Sequence, residues 1–184
     1  MALRELALHI LDTAENSVQA GAKNITIRIE EDESEDRLVL EVSDDGKGMD
    51  DETVQKVIDP FITSRTTRKV GLGIPFLKAA SEACNGNFYL QSEVGKGTRV
   101  TAEFQRSHID RMPLGDIQNT MINLIIGYPK VHWLIEYMMN GKSYIFDDQQ
   151  VKEILEDVPL SSPEVITYLR ESISQGINSA RAGK

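Results

Sequence analysis

Ile25, Ile27 and Ile29 alternate with Thr26 and Arg28, and Leu38, Leu40 and Val42 alternate the same way beyond a run of six acids in seven residues, Glu30 to Asp36. Side chains on a strand point to opposite faces with a period of two. The two runs therefore predict neighbouring strands of a hairpin with one shared aliphatic face. Like charges repel and resist burial, so the acidic run is expected to be the solvated hairpin loop. Just upstream, Leu3, Ala7, Ile10, Ala14 and Val18 recur at helical spacing over Leu3 to Ala20, with Gly21 at the place of a left-handed C-terminal cap.

The next segment, Asp44-Asp45-Gly46-Lys47-Gly48-Met49, ends the second strand in a glycine turn, and Asp50 or Asp51 caps a short helix to Ile58. From Asp59 to Val70 the chain is threonine-rich, without periodicity, and basic at Arg65, Arg68 and Lys69. A patternless loop of this length reads as a functional lid. Gly71-Leu72-Gly73 opens a helix to Ala83 or Cys84, and Asn87 to Glu93 and Thr98 to Phe104 form a hairpin around Gly95-Lys96-Gly97. After Arg106 come a helix capped by Asp116, strands Val131 to Met139 and Lys142 to Phe146 around Asn140-Gly141, a helix to about Asp157, and a last helix from Ser162-Pro163 to Gln175, with Ser179 to Lys184 fraying. The division expected is residues 1–106 as one domain and 107–184 as a C-terminal α+β extension. Apolar side chains on both parities between Leu134 and Met139 imply burial on both faces of that strand or a patch for a partner.

Charge narrows the partners. With 20 Lys and Arg against 29 Asp and Glu, the 184-residue chain carries a net charge of −9, which argues against binding nucleic acid by phosphate neutralisation. The most apolar stretch, Met121 to Met139, is broken by Asn123, Gly127, Pro129, Lys130, His132 and Glu136 and is no membrane span. The single cysteine, Cys84, is expected to be a buried thiol, and a cytoplasmic protein is the simplest reading.

Four segments carry candidate chemistry. Asp12 and Asn16 lie one helical turn apart, and a carboxylate with an amide oxygen suits a hard cation such as Mg²⁺ and its waters. In the second, Gly46 and Gly48 let backbone approach a flat ligand while Asp44, at a strand end, is free to accept from an exocyclic amine. Gly71 and Gly73 precede a helix whose open N–H groups and dipole favour phosphate. Thr98 follows the Gly95-Lys96-Gly97 turn.

Taken in order, these segments resemble the N box and the three glycine boxes of the GHKL ATPase superfamily, over about Leu3 to Phe104. DTAENSVQAGA, Asp12 to Ala22, is similar to the mismatch-repair form of the first box. Pro60-Phe61-Ile62-Thr63 and Val70-Gly71-Leu72-Gly73-Ile74 resemble the phenylalanine and second glycine boxes of histidine kinases. The resemblance implies a Bergerat-type α+β fold, a two-layer sandwich with a mixed sheet covered by helices on one face. It also implies ATP and Mg²⁺ as cofactors: Asn16 on the metal, Asp44 on the adenine amino group, Gly48 shaping that pocket, Gly71 and Gly73 around the phosphates, and Thr98 holding adenine through water. Gly46, Met49, Thr63 and Leu72 belong to the same nucleotide-contacting set, Phe61 anchors the lid or touches nucleotide, and Arg65, Arg68 or Lys69 offers positive charge.

One departure bears on catalysis. Hydrolytic branches usually carry glutamate as general base where this chain has Asp12, a side chain shorter by roughly 1 to 1.5 Å, and misplacement on that scale slows a reaction about 10²-fold. Glu15 is a substitute base or an ordinary polar helix residue. With eight residues before His9, no phosphoacceptor hairpin is expected, and transfer, if any, is expected in trans to a protein. His9, His108 and His132 are read as structural. The two functions expected are a slow Mg-dependent ATPase or trans-acting kinase that couples nucleotide state to a partner, and a catalytically degenerate nucleotide-binding module.

Overall fold

A computed structural model describes residues 5–59, 73–155 and 158–182. Six strands, β1 (Asn24–Asp32), β2 (Arg37–Asp44), β3 (Phe88–Glu93), β4 (Gly97–Gln105), β5 (His132–Met139) and β6 (Lys142–Asp147), form one sheet in the order β3-β4-β2-β1-β5-β6. Every pairing is antiparallel except that of β1 with β5. Helices α1 (Leu6–Gln19), α2 (Asp51–Ile58), α3 (Gly73–Ala83), α4 (Ile117–Gly127), α5 (Asp148–Leu155) and α6 (Pro163–Arg181) complete the fold.

The alternation read from the sequence sets the layers. Ile25, Ile27, Ile29, Leu38, Leu40 and Val42 are all buried and join α1's Leu6, Ala7, Ile10 and Ala14 in a single core. That core continues through Trp133, Ile135, Tyr137 and Met139 of β5 to Leu169, Ile173 and Ile177 of α6, without a break at residue 107. On β5 alternate residues are buried and the others half-buried, so the apolar side chains of both parities resolve into one buried face with Leu134 and Met138 on the other. Asn140 (φ 49°) and Gly141 (φ 79°) make the tight β5–β6 turn. Backbone carbonyls of Pro113 and Leu114 accept from Leu6 and Ala7 N–H, tying the segment after β4 to the open end of α1.

The acidic run behaves differently from its expected solvated loop. Strands run through Glu30, Glu31 and Asp32, leaving residues 33–36 for the turn. Arginines explain this: Glu30 pairs with Arg28 of its own strand and Arg37 of β2, and Glu31 with Arg106 and Arg181 from distant segments. Opposite charge in a partly desolvated cluster replaces the repulsion that the run alone would impose. The last helix also outlasts its expected end at Gln175, reaching Arg181, because Ile177 and Ala180 are buried and Arg181 stacks 5.1 Å over the Tyr137 ring while its Nε donates to the Tyr137 hydroxyl at 2.7 Å.

Candidate functional site

The C-terminal end of β2, the turn after it and one face of α1 enclose a cavity of about 330 Å³. Asp44 sits on its floor. Its Oδ1 accepts from Gly46 N–H at 2.8 Å and Thr98 N–H at 3.3 Å, and its Oδ2 accepts from the Ser17 hydroxyl at 2.6 Å. A carboxylate has about four acceptor positions. With three filled by protein donors that fix the group in place, one is left for a ligand's N–H.

The wall beyond Asp44 is a second fixed network. Ser92 Oγ accepts from Met49 N–H at 2.8 Å, donates to the Gly97 carbonyl at 3.0 Å and lies 2.9 Å from Thr98 Oγ1. At Gly48 the backbone has φ +64°, and a Cβ there would overlap the Glu93 carbonyl. Only glycine permits both the conformation and the approach. Asp45 turns away and accepts from Lys23 N–H, Asn24 N–H and the Asn24 amide. Burial opposes its charge, but those donors outweigh it and hold the carboxyl below the usual range. Val57, Ile74 and Val100 supply apolar surface.

At the other end, α1 meets the start of α3. Asn16 lines the cavity, and among the described residues its side-chain amide has no hydrogen-bond partner. Asp12 is half-buried one turn earlier, and a Cβ on Gly73 would overlap its carboxylate. Asp12 Oδ2 is buried with no partner among the described residues, and burial raises its pKa. His9 is 2% exposed, its Nδ1 is buried with no partner among the described residues, and burial lowers its pKa.

The residues anticipated from sequence thus divide. Asn16, Asp44, Gly48, Met49 and Thr98 line one cavity; Gly46 braces Asp44, and Asp12 and Gly73 adjoin at its far end. Glu15 does not line it, and its Oε1 accepts from the Tyr128 hydroxyl at 3.2 Å. Phe61, Thr63, Arg65, Arg68, Lys69, Gly71 and Leu72 lie outside the described residues. Ser17 and Ser92 escaped sequence reasoning, because their roles depend on partners 27 and 6 residues away that no periodicity links. His132, read as structural, has Asp147 Oδ1 2.8 Å from its Nε2, brought there by the antiparallel pairing of β5 and β6. Cys84 is buried, and burial first of all pushes its thiol pKa up, as expected of an inert thiol.

Residues 1–108 match the family described as histidine kinase-, DNA gyrase B-, and HSP90-like ATPase. The chain belongs to this ATPase family. Its domain is of the ATP-binding, histidine kinase-like type. Curated relatives include the sensor histidine kinase WalK of Bacillus subtilis, 35% identical over 83 residues (42% of this chain, 14% of WalK), and the sensor protein kinase FleS of Pseudomonas aeruginosa, 37% identical over 92 residues (50% of this chain, 23% of FleS). The chain therefore spans less than a quarter of either relative. In fold it resembles the Aquifex aeolicus MutL ATPase domain complexed with ADP (TM-score 0.50, 14% identity, 84% of this chain and 70% of that one). It also resembles the N-terminal domain of a DNA repair protein (TM-score 0.55, 16% identity, 78% of this chain and 52% of that one). Both likenesses extend past residue 108, so the shared fold takes in part of the C-terminal segment. The architecture is the Bergerat-type α+β fold of this family. No helix among the described residues is long and apolar enough to cross a membrane.

Proposed function

We propose that this chain binds Mg·ATP, hydrolyses it slowly or passes its γ-phosphoryl group to a protein in trans, and couples nucleotide state to that partner. The observation that carries the reading is Asp44, pinned by Ser17, Gly46 and Thr98 with one acceptor position left toward the cavity. That position suits the amino group of adenine and disfavours guanine, whose corresponding atom is a carbonyl. A cavity of about 330 Å³ lies within the range of small-ligand sites.

The far end fits the phosphates and their cation. Asn16 offers an oxygen toward the cavity, and the first turn of α3 has N–H groups without helical partners. Magnesium, when bound, would offset phosphate charge, which lets a chain of net charge −9 take an anionic ligand. Asp12, poorly solvated and unpartnered, is suited to hold a proton from an attacking water, its raised pKa making it a stronger base than an ordinary aspartate. Its short reach supports slow turnover. Residues 107–184 are suited to relay nucleotide state, since β5 is paired along β1, which pairs with the strand bearing Asp44.

Thermal unfolding in Mg·ATP against Mg·GTP tests the binding reading. Stabilisation of about 2.7 kcal/mol is expected at a hundredfold excess of ATP over its dissociation constant, with little from GTP. Equal response to both nucleotides, or none, defeats it. Phosphate release or protein labelling that disappears in both Asp12→Asn and Asn16→Ala supports catalysis; nucleotide binding without either supports the degenerate module that Asp12 in place of glutamate would produce.

A further inference from the structure

We infer that Ser92 is a positioning residue that sets base specificity: it takes up the hydroxyl proton of Thr98 and leaves Thr98, like Asp44, with acceptor positions only toward a bound base. This rests on the nucleotide reading above. Ser92 on β3 and Thr98 on β4 stand directly opposite each other in the antiparallel pair, so their side chains share a face. Thr98 lines the cavity and Ser92 does not.

A hydroxyl carries one proton and two acceptor positions. Ser92 Oγ lies 2.8 Å from the Met49 N–H nitrogen, 3.0 Å from the Gly97 carbonyl and 2.9 Å from Thr98 Oγ1. The first of these only donates and the second only accepts. The single proton of Ser92 is therefore committed to the Gly97 carbonyl, and its contact with Thr98 is a hydrogen bond when Thr98 is the donor. Were Ser92 to donate to Thr98 instead, two acceptor oxygens, Ser92 Oγ and the Gly97 carbonyl, would face each other at 3.0 Å with no proton between them.

With its proton held by Ser92, Thr98 Oγ1 keeps lone pairs alone. The Thr98 N–H is also committed, to Asp44 Oδ1, and Asp44 accepts from Ser17 and Gly46 as well. A ligand N–H satisfies this pair of side chains, whereas a carbonyl sets lone pair against lone pair. Threonine without such a neighbour would discriminate less, because its hydroxyl rotates to donate or accept as the ligand requires. Ser92 removes that freedom from outside the cavity. A site that leaves polar groups unpaired with the wrong ligand rejects that ligand strongly.

Calorimetric titration of ATP and of inosine triphosphate, which has a carbonyl in place of the 6-amino group, into wild type, Ser92→Ala and Ser92→Thr, with magnesium throughout, tests this. In Ser92→Ala the Thr98 hydroxyl is free to turn its proton to the carbonyl, and the preference for ATP over inosine triphosphate should fall about tenfold. Ser92→Thr keeps a hydroxyl and should hold the preference within about twofold of wild type. In a Thr98→Val background, Ser92→Ala should leave the preference where it stands. A Ser92 that only anchors the turn through Met49 would, when removed, weaken both nucleotides together. That result overturns the inference, and so does a preference lost in Ser92→Thr or a change that persists without the Thr98 hydroxyl. Should Ser92→Ala fail to fold, Ser92→Cys, whose sulfur is a weak acceptor, replaces it under the same criterion. Wild-type protein that binds neither nucleotide defeats the nucleotide reading itself, whereas an ATP preference indifferent to Ser92 defeats this inference alone.

Discussion

The two ends of the cavity are built on opposite terms. At the Asp44 end, Ser17, Gly46 and Thr98 donate to the carboxylate and Ser92 bonds Met49 and Thr98, so the carboxylate is oriented before any ligand arrives. At the α3 end, Asp12 Oδ2 and His9 Nδ1 are buried without partners among the described residues, and Asn16 has an unused amide. A satisfied network is rigid and selective; an unsatisfied one stores polar capacity that a bound group can meet. On the proposed function, recognition falls to the first end, and chemistry and response to ligand fall to the second.

The largest effect expected is at the satisfied end. Asp44→Asn replaces an oxygen acceptor with a donor that faces Ser17, Gly46 or Thr98 or the ligand's amine, and should weaken adenine-nucleotide binding at least about 10²-fold by calorimetry, since a mispaired buried donor costs several kcal/mol. Binding kept within threefold would break the assignment of the base to this end. Next is Gly73→Ala, whose Cβ would overlap the Asp12 carboxylate. A loss of about 1 to 3 kcal/mol of stability is expected, largely relieved in the Asp12→Ala background, because the clash needs both groups. Additive effects in the double variant would show that the contact between α1 and α3 does not carry the strain.

Asp12 sharpens the comparison through pH. Its folded pKa is raised above its ordinary value of 3.8, so the folded state favours the protonated form. The corresponding stability is present below the unfolded pKa and is lost as pH rises through the folded one. Asp12→Asn, a neutral mimic, should therefore unfold at a higher temperature than wild type at pH 7, with the advantage shrinking as pH falls toward 3.8. A constant advantage across that window would mean that the carboxylate is not desolvated. The smallest effect is remote from both ends: Tyr137→Phe removes the bonds to Glu31 and Arg181 and should cost about 1 kcal/mol in denaturant unfolding while ATP affinity stays the same. A changed affinity would extend the responsive end into the C-terminal helix.

Much of this was readable along the chain. Alternation located β1, β2 and β4, helical spacing located α1, and caps located α2, α4 and α6 through Asp50, Asp116 and Pro163. Asp44, Gly48, Asn16 and Thr98 were singled out by the resemblance to the family's boxes, with a glycine turn and a one-turn spacing as local support, and all four line the cavity. Ser17 and Ser92 could not be, since each acts on a partner brought close only by packing. The acidic run misled for the same reason: its charge density is local, but the arginines that answer it, Arg37, Arg106 and Arg181, stand up to 150 residues from Glu31.

What the sequence determined by itself was the set of strands and helices, and the residue types suited to a nucleotide, because backbone geometry and hydrophobic period act over a few residues. Tertiary structure decided the rest. It brought β5 beside β1 to make one sheet across residue 107, gave Glu31 its cations, and set Asp12 against Gly73. These are contacts between surfaces whose complementarity exists only once the layers close and water leaves, and no short-range signal encodes them.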